Sequence, residues 1–181
     1  LGAQLVLPGE FLAAQRTASG YAVRYRTPRG EAESHCTALV NAAGPWINTV
    51  LARITPQVPP PAIELVQGAH IVLDGALQRG VYYTEAEDGR AVFVMPWRGM
   101  TLVGTTETHF RGDPARVRPL PAEVEYLLRT FHRYFPERDA SLRDQFAGLR
   151  VLPLAQGTAF HRPRETLYRT DTPEQPHLVN I

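Results

Sequence analysis

Two apolar runs joined by a two-residue turn constrain the fold of this chain more than any other feature. Ala91–Trp97 and Met100–Glu107 are rich in β-branched and aromatic residues, and Arg98–Gly99 lies between them. Such a pair predicts a β-hairpin. Further strand-length runs at Ile63–Leu73 and Val81–Glu85 are bounded by turns that contain Gly and Asp, which favours an antiparallel sheet over βαβ units.

The same region contains one long predicted helix, Ala122–Phe135. Its apolar residues recur at i, i+3, i+4, i+7 and i+11, with acidic residues near its start and basic residues toward its end, as the helix dipole favours. The apolar positions are Val124, Leu127, Leu128, Phe131 and Phe135. The other predicted strands are Gln4–Leu7, Tyr21–Thr27, Glu31–Thr37, Gln145–Leu152, Glu165–Thr170 and Leu178–Ile181.

The segment Ala38–Gly44 differs in kind, because it is continuously apolar and ends in small residues. This pattern is typical of a strand that is buried on both faces of a parallel sheet. Gly44–Pro45 then begins a predicted helix. A strand that ends in small residues before a helix is how α/β sheets present backbone N–H groups to a phosphate or a cofactor. One face of that helix would carry Trp46, Ile47, Val50, Leu51 and Ile54. The proline-rich stretch 55–61 predicts a linker.

Composition excludes several classes of function. The net charge of +1 provides no global field to attract nucleic acid or an anionic membrane. Apolar runs are too short to cross a bilayer, so any membrane association would be peripheral. Cys36 is the only cysteine and no metal-ligand spacing occurs, so we expect neither a disulfide within the chain nor a metal site. The basic residues are all arginine, so lysine chemistry is absent from this chain.

His70 is the first candidate for chemistry. Strand alternation predicts that His70 and Val72 share one face, and that Ile71 and Leu73 share the other. A histidine with a pKa of about 6.5 can accept a proton from an alcohol at neutral pH when a nearby positive charge favours the alkoxide. A half-buried structural histidine is the alternative.

Arg150 interrupts an apolar, strand-like run, where a guanidinium needs carboxylate, phosphate or carbonyl partners. A ligand contact and a structural ion pair both remain open for it. The carboxylates proposed for the ion pair are Asp113, Glu107 and Asp144. Thr105 follows a predicted strand end, where its hydroxyl could bind a ligand or cap a turn. Arg164 lies near a turn and, on its own, is typical of surface charge.

Several segments, taken in their order along the chain, resemble the flavin-dependent glycerol-3-phosphate dehydrogenases among the D-amino-acid-oxidase-like flavoenzymes. No single segment is specific, but their joint order is. The segments are Leu39–Trp46, Val66–Val72, Phe93–Trp97, Leu102–Glu107, Gly112–Pro114, Ala147–Pro153 and Arg164–Glu165. Gln67, Ala69 and Val151 depart from the family pattern, where lysine, serine and proline are usual.

The resemblance implies an α+β fold, in which an antiparallel substrate domain with a flanking helix joins part of an α/β, Rossmann-like FAD-binding domain. It implies a partial FAD-binding domain at 1–56, a substrate domain at 57–158 and a return segment at 159–181. It also implies FAD as cofactor, glycerol 3-phosphate as substrate, dihydroxyacetone phosphate as product and a quinone as final electron acceptor.

The resemblance further implies roles for individual residues. His70 would be the base or hydrogen-bond partner of the C2 hydroxyl, and Arg150 would polarise the same oxygen. Arg164 and Thr105 would bind the substrate. Four residues would lie beside the flavin nucleotide: Ala43, Gly44, Pro45 and Trp46.

Two alternatives stay open. One is a related flavoprotein that oxidises an amine or a 2-hydroxy acid, and the other is a non-catalytic anion-binding module. The dinucleotide glycine motif and a Gly-Gly-Lys segment of the family do not occur here. We therefore expect an internal piece of a longer protein that alone neither retains FAD nor turns over substrate. The intact protein is expected in the cytoplasm, with peripheral membrane contact and oligomeric state open, and without a nucleic acid partner.

Overall fold

The computed structural model describes residues 2–139, 141–154 and 166–181. The chain divides into two compact units, which comprise the described residues of Leu1–Ala62 with Pro163–Ile181 and those of Ile63–Arg162. The strands are β1 (Glu10–Thr17), β2 (Gly20–Thr27), β3 (Gly30–Cys36), β4 (Leu39–Asn41), β5 (Ile54–Thr55), β6 (Ile63–Leu73), β7 (Tyr82–Glu85), β8 (Ala91–Trp97), β9 (Met100–Gly104), β10 (Thr108–Phe110), β11 (Leu142–Pro153), β12 (Arg169–Thr170) and β13 (Leu178–Asn180). The α-helices of the described residues are α1 (Ile47–Leu51) and α2 (Pro121–Tyr134).

The first unit contains two small sheets. One has the order β3-β2-β1-β5, in which β5 runs parallel to β1 and the other neighbours are antiparallel. The turn between β2 and β3 is held by Thr27, whose hydroxyl accepts the Arg29 N–H at 3.1 Å and donates to the Gly30 carbonyl at 3.2 Å. The other sheet has the order β12-β13-β4, with β13 parallel to β4.

Three predictions for the first unit were wrong in detail. No strand forms at Gln4–Leu7, and the first strand is β1, whose alanines do not favour a strand and which is held by its partners β2 and β5. Ile54 does not extend the helix but begins β5, which pairs with Ala14 of β1. Strand β4 has the predicted parallel partner, but Val40 is 55% exposed, so β4 is not buried on both faces in the described structure.

The second unit is built on one antiparallel sheet, as predicted. Strand β6 is its centre, because it pairs with β11 along its whole length and also with β9 and β10. Strands β8 and β7 continue the sheet beyond β9. The predicted hairpin between β8 and β9 turns at Arg98 and Gly99, whose φ angles of 50° and 79° are both left-handed, as a tight hairpin requires. The predicted α+β class is confirmed.

The hydrophobic core of this unit lies between one face of the sheet and helix α2. Ala69, Ile71 and Leu73 point into it from β6, so the predicted alternation of β6 is confirmed. The apolar face of α2 packs there through Val124, Leu127 and Phe131, which confirms the predicted helix within one residue at each end. His70 therefore belongs to the opposite face of the sheet.

A buried carboxylate links α2 to the sheet. Glu123 is 6% exposed and accepts hydrogen bonds from the Thr106 hydroxyl at 2.7 Å, the Thr108 hydroxyl at 2.8 Å, the Leu120 N–H at 2.9 Å and the Gln67 amide at 2.5 Å. Four donors compensate for the loss of water around the charge. The carboxylate thereby caps the helix and fixes the loop between β9 and β10.

That loop corrects the prediction of a single strand at Met100–Glu107. The strand stops at Gly104 and resumes as β10 at Thr108. In between, the Thr106 hydroxyl accepts the Ala69 N–H of β6 at 2.9 Å, and the Thr106 N–H donates to the Ala69 carbonyl at 3.4 Å. A side chain thus replaces part of the regular ladder, and the loop is held against β6.

We expect Glu123→Gln to destabilise the second unit by about 2 kcal/mol, because an amide NH₂ would face donors that the carboxylate now accepts. Glu125→Gln on the same helix is the control, since Glu125 is exposed and makes only an i,i+4 pair with Arg129; it should change stability by less than about 0.5 kcal/mol. Urea unfolding of both variants measures the difference. Equal stabilities would show that the Glu123 network contributes nothing specific.

Candidate active site

A row of side chains crosses the second unit's sheet on the face opposite its core. Register pairs Phe146 of β11 with His70 of β6, His70 with Gly104 of β9, Gly104 with Phe93 of β8, and Phe93 with Tyr83 of β7. Phe146, Phe93 and Tyr83 are all exposed. This face therefore offers exposed aromatic surface on both sides of a histidine.

The His70 imidazole is fixed between its two neighbours in that row. It stacks on the Phe146 ring with centroids 5.0 Å apart and an interplanar angle of 7°. On the other side it occupies the space above Gly104, where an added Cβ would lie only 2.8 Å from Cγ and Nε2. The backbone of Gly104 has no left-handed φ, so the glycine is needed for clearance rather than for conformation.

Arg150 lies on the same face as His70. Arg150 pairs with Val66, and Phe146 pairs with His70. Val66 and His70 are four residues apart on β6 and share a face, so their partners on β11 lie on that face as well. The guanidinium covers Gly68, where an added Cβ would lie 2.9 and 3.1 Å from its two terminal nitrogens. A second glycine thus makes room for a second functional side chain.

The partners of Arg150 bear on the structural alternative. Its Nη1 lies 3.9 Å from a Glu107 carboxylate oxygen and donates to the Thr106 carbonyl at 3.4 Å. Of the carboxylates considered from the sequence, Glu107 is the one that the structure places beside it. The Arg150 side chain remains 27% exposed. It therefore has a structural partner and also a surface on the His70 face.

Thr105 joins these groups from the loop after β9. Its hydroxyl donates to the Thr106 carbonyl at 3.3 Å, and a Cβ on Gly68 would lie 2.5 Å from its Oγ1. Thr105 and Arg150 therefore both lie over Gly68. The structure brings together three residues predicted to bind or convert substrate: His70, Arg150 and Thr105. Arg164, the fourth, lies outside the described residues.

Electrostatics favour a neutral imidazole. Burial lowers the pKa of His70 below its ordinary value, and the positive charge of Arg150 lowers the pKa further, while the Gly68 backbone acts in the opposite direction. The buried Nδ1 has no hydrogen-bond partner among the described residues. A neutral imidazole can accept a proton or a hydrogen bond from a ligand hydroxyl.

The predicted nucleotide-binding turn lies in the first unit. Parallel strands β4 and β13 end side by side at Asn41 and Asn180, whose side chains hydrogen-bond at 3.0 Å. The Asn41 oxygen accepts the Ala43 N–H at 3.3 Å, and Gly44 follows with a φ of 53°, which favours glycine. Ala43–Trp46 thus forms a short turn after the carboxyl ends of parallel strands, and Trp46 is exposed. This arrangement fits one wall of a nucleotide cofactor site.

Sequence reasoning missed residues that shape the site without reacting. Phe146 was treated only as part of a strand, and Gly104 and Gly68 were not assigned a function. A glycine inside a strand is a signal of close approach, so both could have been noted. The role of Glu123 could have been suspected from its place three residues after Leu120, the capping position of α2. Its contacts to Thr106 and Gln67 are tertiary and leave no local pattern.

No group of three or more His, Cys, Asp or Glu side chains among the described residues is placed to hold a metal ion. The helices described there are all too short or too polar to cross a lipid bilayer.

Residues 1–179 match the family described as DAO, FAD dependent oxidoreductase. A glycerol-3-phosphate dehydrogenase of Pseudomonas aeruginosa is 37% identical over 119 residues, which cover 64% of this chain and 23% of that protein. A D-erythritol 1-phosphate dehydrogenase of Brucella abortus is 29% identical over 160 residues, which cover 83% of this chain and 31% of that protein. The chain therefore spans between about a quarter and a third of the length of these relatives.

A solved structure gives the same picture of the fold. The glycerol-3-phosphate dehydrogenase of Bacillus halodurans, complexed with FAD, superimposes with a TM-score of 0.72 and 23% identity. The match covers 96% of this chain and 34% of that one. At this level of identity the likeness shows a shared fold.

We expect Gly104→Ala to displace the His70 imidazole, because the new methyl group would overlap the ring. The displaced ring should lose burial, so its pKa should rise toward about 6.5. Overpacking should also cost about 1–3 kcal/mol of stability. NMR titration of the histidine ring and thermal unfolding measure the two effects.

The control for this substitution is Gly112→Ala. Its Cβ would meet only the tip of the Phe110 ring at 3.4 Å, and its φ is not left-handed. It should leave the His70 pKa unchanged. A low His70 pKa that persists in Gly104→Ala would contradict the packing described for the site.

Proposed function

Because the chain belongs to the DAO family of FAD-dependent oxidoreductases, we propose that it carries the substrate side of a glycerol-3-phosphate dehydrogenase. The reaction oxidises the secondary alcohol of glycerol 3-phosphate to the ketone of dihydroxyacetone phosphate. Sequence relatives that carry this activity in their names support the proposal. The observation that carries it is the placement of His70 and Arg150 on one face of the sheet, opposite the core.

The two side chains divide the work on the alcohol. The neutral His70 imidazole accepts the hydroxyl proton. The Arg150 guanidinium donates a hydrogen bond to the same oxygen and stabilises its developing negative charge. FAD, when bound, supplies the acceptor for the hydride that leaves the carbon.

The remaining groups position the substrate and the arginine. Glu107 and the Thr106 carbonyl hold the guanidinium over Gly68, which limits its rotation. The Thr105 hydroxyl, beside the guanidinium, accepts a hydrogen bond from a substrate hydroxyl, since its own hydrogen is donated to the Thr106 carbonyl. Arg164 is proposed to help hold the substrate in place, as the resemblance implies. In the first unit, Ala43–Trp46 would hold the nucleotide part of FAD through backbone groups at the strand ends.

Two finer points complete the proposal. A quinone accepts the electrons from the reduced cofactor, as the family resemblance implies. The 181-residue chain alone neither retains FAD nor oxidises substrate, because it spans only between about a quarter and a third of the length of its curated relatives. Absorbance in the flavin region of the purified chain would contradict the second point.

We expect His70→Gln and Arg150→Met, each made in the full-length protein, to lower kcat for glycerol 3-phosphate by about 100-fold or more, since each removes an acid–base or oxyanion-type contact. His132→Gln and Arg133→Gln, on the exposed side of α2, are matched controls that should keep the wild-type kcat. Turnover at the wild-type rate in both site variants would favour the non-catalytic anion-binding module.

The acid side of the pH profile should depend on Arg150. Because His70 must be neutral to act as a base and its pKa is lowered in the fold, kcat/KM should fall only below about pH 6.5. Burial still lowers the pKa in Arg150→Met, but the charge effect of Arg150 is lost, so the acid limb should move to higher pH. In Arg150→Lys the limb should stay near its wild-type position. An acid limb that stays at the same pH in Arg150→Met would show that the charge of Arg150 does not lower the pKa of His70.

A further inference from the structure

Three glycines lie on the His70 face of strands β6, β9 and β11, and only two of them are explained by their neighbours. Gly104 makes room for His70, and Gly68 makes room for Arg150 and Thr105. Gly148 has no described atom within 4 Å of an added Cβ, and its φ is not left-handed. Neither packing within the described structure nor backbone conformation requires a glycine at this position.

The space above Gly148 is a gap between two groups of the proposed site. Phe146 and Arg150 stand two residues away on either side along β11, on the same face. Gly148 pairs directly with Gly68, whose surface the guanidinium covers. The opening is therefore about one side chain wide, bounded by the ring that stacks on His70 and by the guanidinium.

We propose that Gly148 is a specificity-determining residue, and that the uncharged, hydroxylated end of a polyol phosphate rests on its Cα. The inference rests on the proposed function, because a substrate oxygen held between His70 and Arg150 has its carbon chain beside this gap. The absence of a side chain at Gly148 sets how many carbons of the substrate beyond the reacting carbon the site admits.

The walls of the gap favour the polyol end of the substrate over its phosphate. One wall is the aromatic ring of Phe146, which would remove water from a doubly charged phosphate and offers it no hydrogen-bond donor, while the guanidinium on the other side is directed to the reacting oxygen. A carbon chain with hydroxyl groups can pack its C–H surface on the ring and keep its hydroxyls directed to solvent or to Arg150. Gly148 itself offers only its Cα surface, which suits a close apolar contact.

The test uses the FAD-loaded, full-length protein with two substrates that share a secondary alcohol next to a CH₂–phosphate group. D-Erythritol 1-phosphate keeps this unit of glycerol 3-phosphate and adds one hydroxylated carbon at the far end. The wild-type protein should oxidise both, with kcat/KM values within about 10-fold of each other. Gly148→Ala should lower kcat/KM for the four-carbon compound by about 10- to 100-fold more than for glycerol 3-phosphate, which is the usual effect of one methyl group in a shape-selective pocket.

Gly112→Ala, at a glycine outside the site, is the control and should keep the wild-type ratio of the two kcat/KM values. An unchanged ratio in Gly148→Ala overturns the inference while leaving the proposed function intact. If Gly148→Ala does not fold, wild-type selectivity decides the question, because rejection of the four-carbon compound by more than about 100-fold contradicts an open gap. Failure of the wild-type protein to oxidise either compound removes the proposed function, and the inference with it.

Discussion

The antiparallel register between β6 and β11 is the constraint on which the proposed site depends. It pairs His70 with Phe146 and Val66 with Arg150, so both polar side chains stand on the face that does not pack against α2. Because side chains alternate along a strand, a slip of one residue in β6 would turn His70 into the core and bring Ile71 to the ligand side. Such a slip would also expose the apolar side chains of the core, at about 1.5–3 kcal/mol for each large one. The same burial that stabilises the unit therefore fixes the chemistry of its other face.

The elements predicted correctly from the sequence are those whose apolar residues repeat with a regular period. Helix α2 and strand β6 were predicted correctly because their apolar residues repeat with the periods of a helix and of a strand. Both sets of apolar residues pack in the same core. The interruption after Gly104 was missed, since its cause is a hydrogen bond between Thr106 and the distant Ala69. Strand β1 was missed for a related reason, because its alanines carry little strand preference and its pairing with β2 and β5 decides its conformation.

The candidate site shows the same division. The alternation of side chains along β6 was enough to predict the face of His70. The room that Gly68 and Gly104 leave for the site residues depends on side chains from other strands. For Arg150 the sequence left a ligand contact and an ion pair as alternatives. The structure places Glu107 beside the guanidinium and also leaves that group partly exposed on the His70 face. The two alternatives are therefore compatible, because a guanidinium with five N–H donors can bind a carboxylate and still donate to a ligand.

The position of the arginine relative to the histidine decides whether it helps the proposed reaction. Its charge lowers the pKa of the His70 imidazole, which makes a weaker base, and it also lowers the pKa of the substrate alcohol, which makes a stronger acid. Proton transfer becomes more favourable only if the second effect is larger, so the guanidinium must lie closer to the alcohol oxygen than to the ring. Gly68 and His70 are two residues apart on one face, a separation of about 6.6–6.8 Å along the strand. An oxygen between them can approach the guanidinium over Gly68 at hydrogen-bonding distance while the imidazole remains farther from the charge. The open surface of Gly148, which pairs with Gly68, would let the attached carbon chain settle in that place.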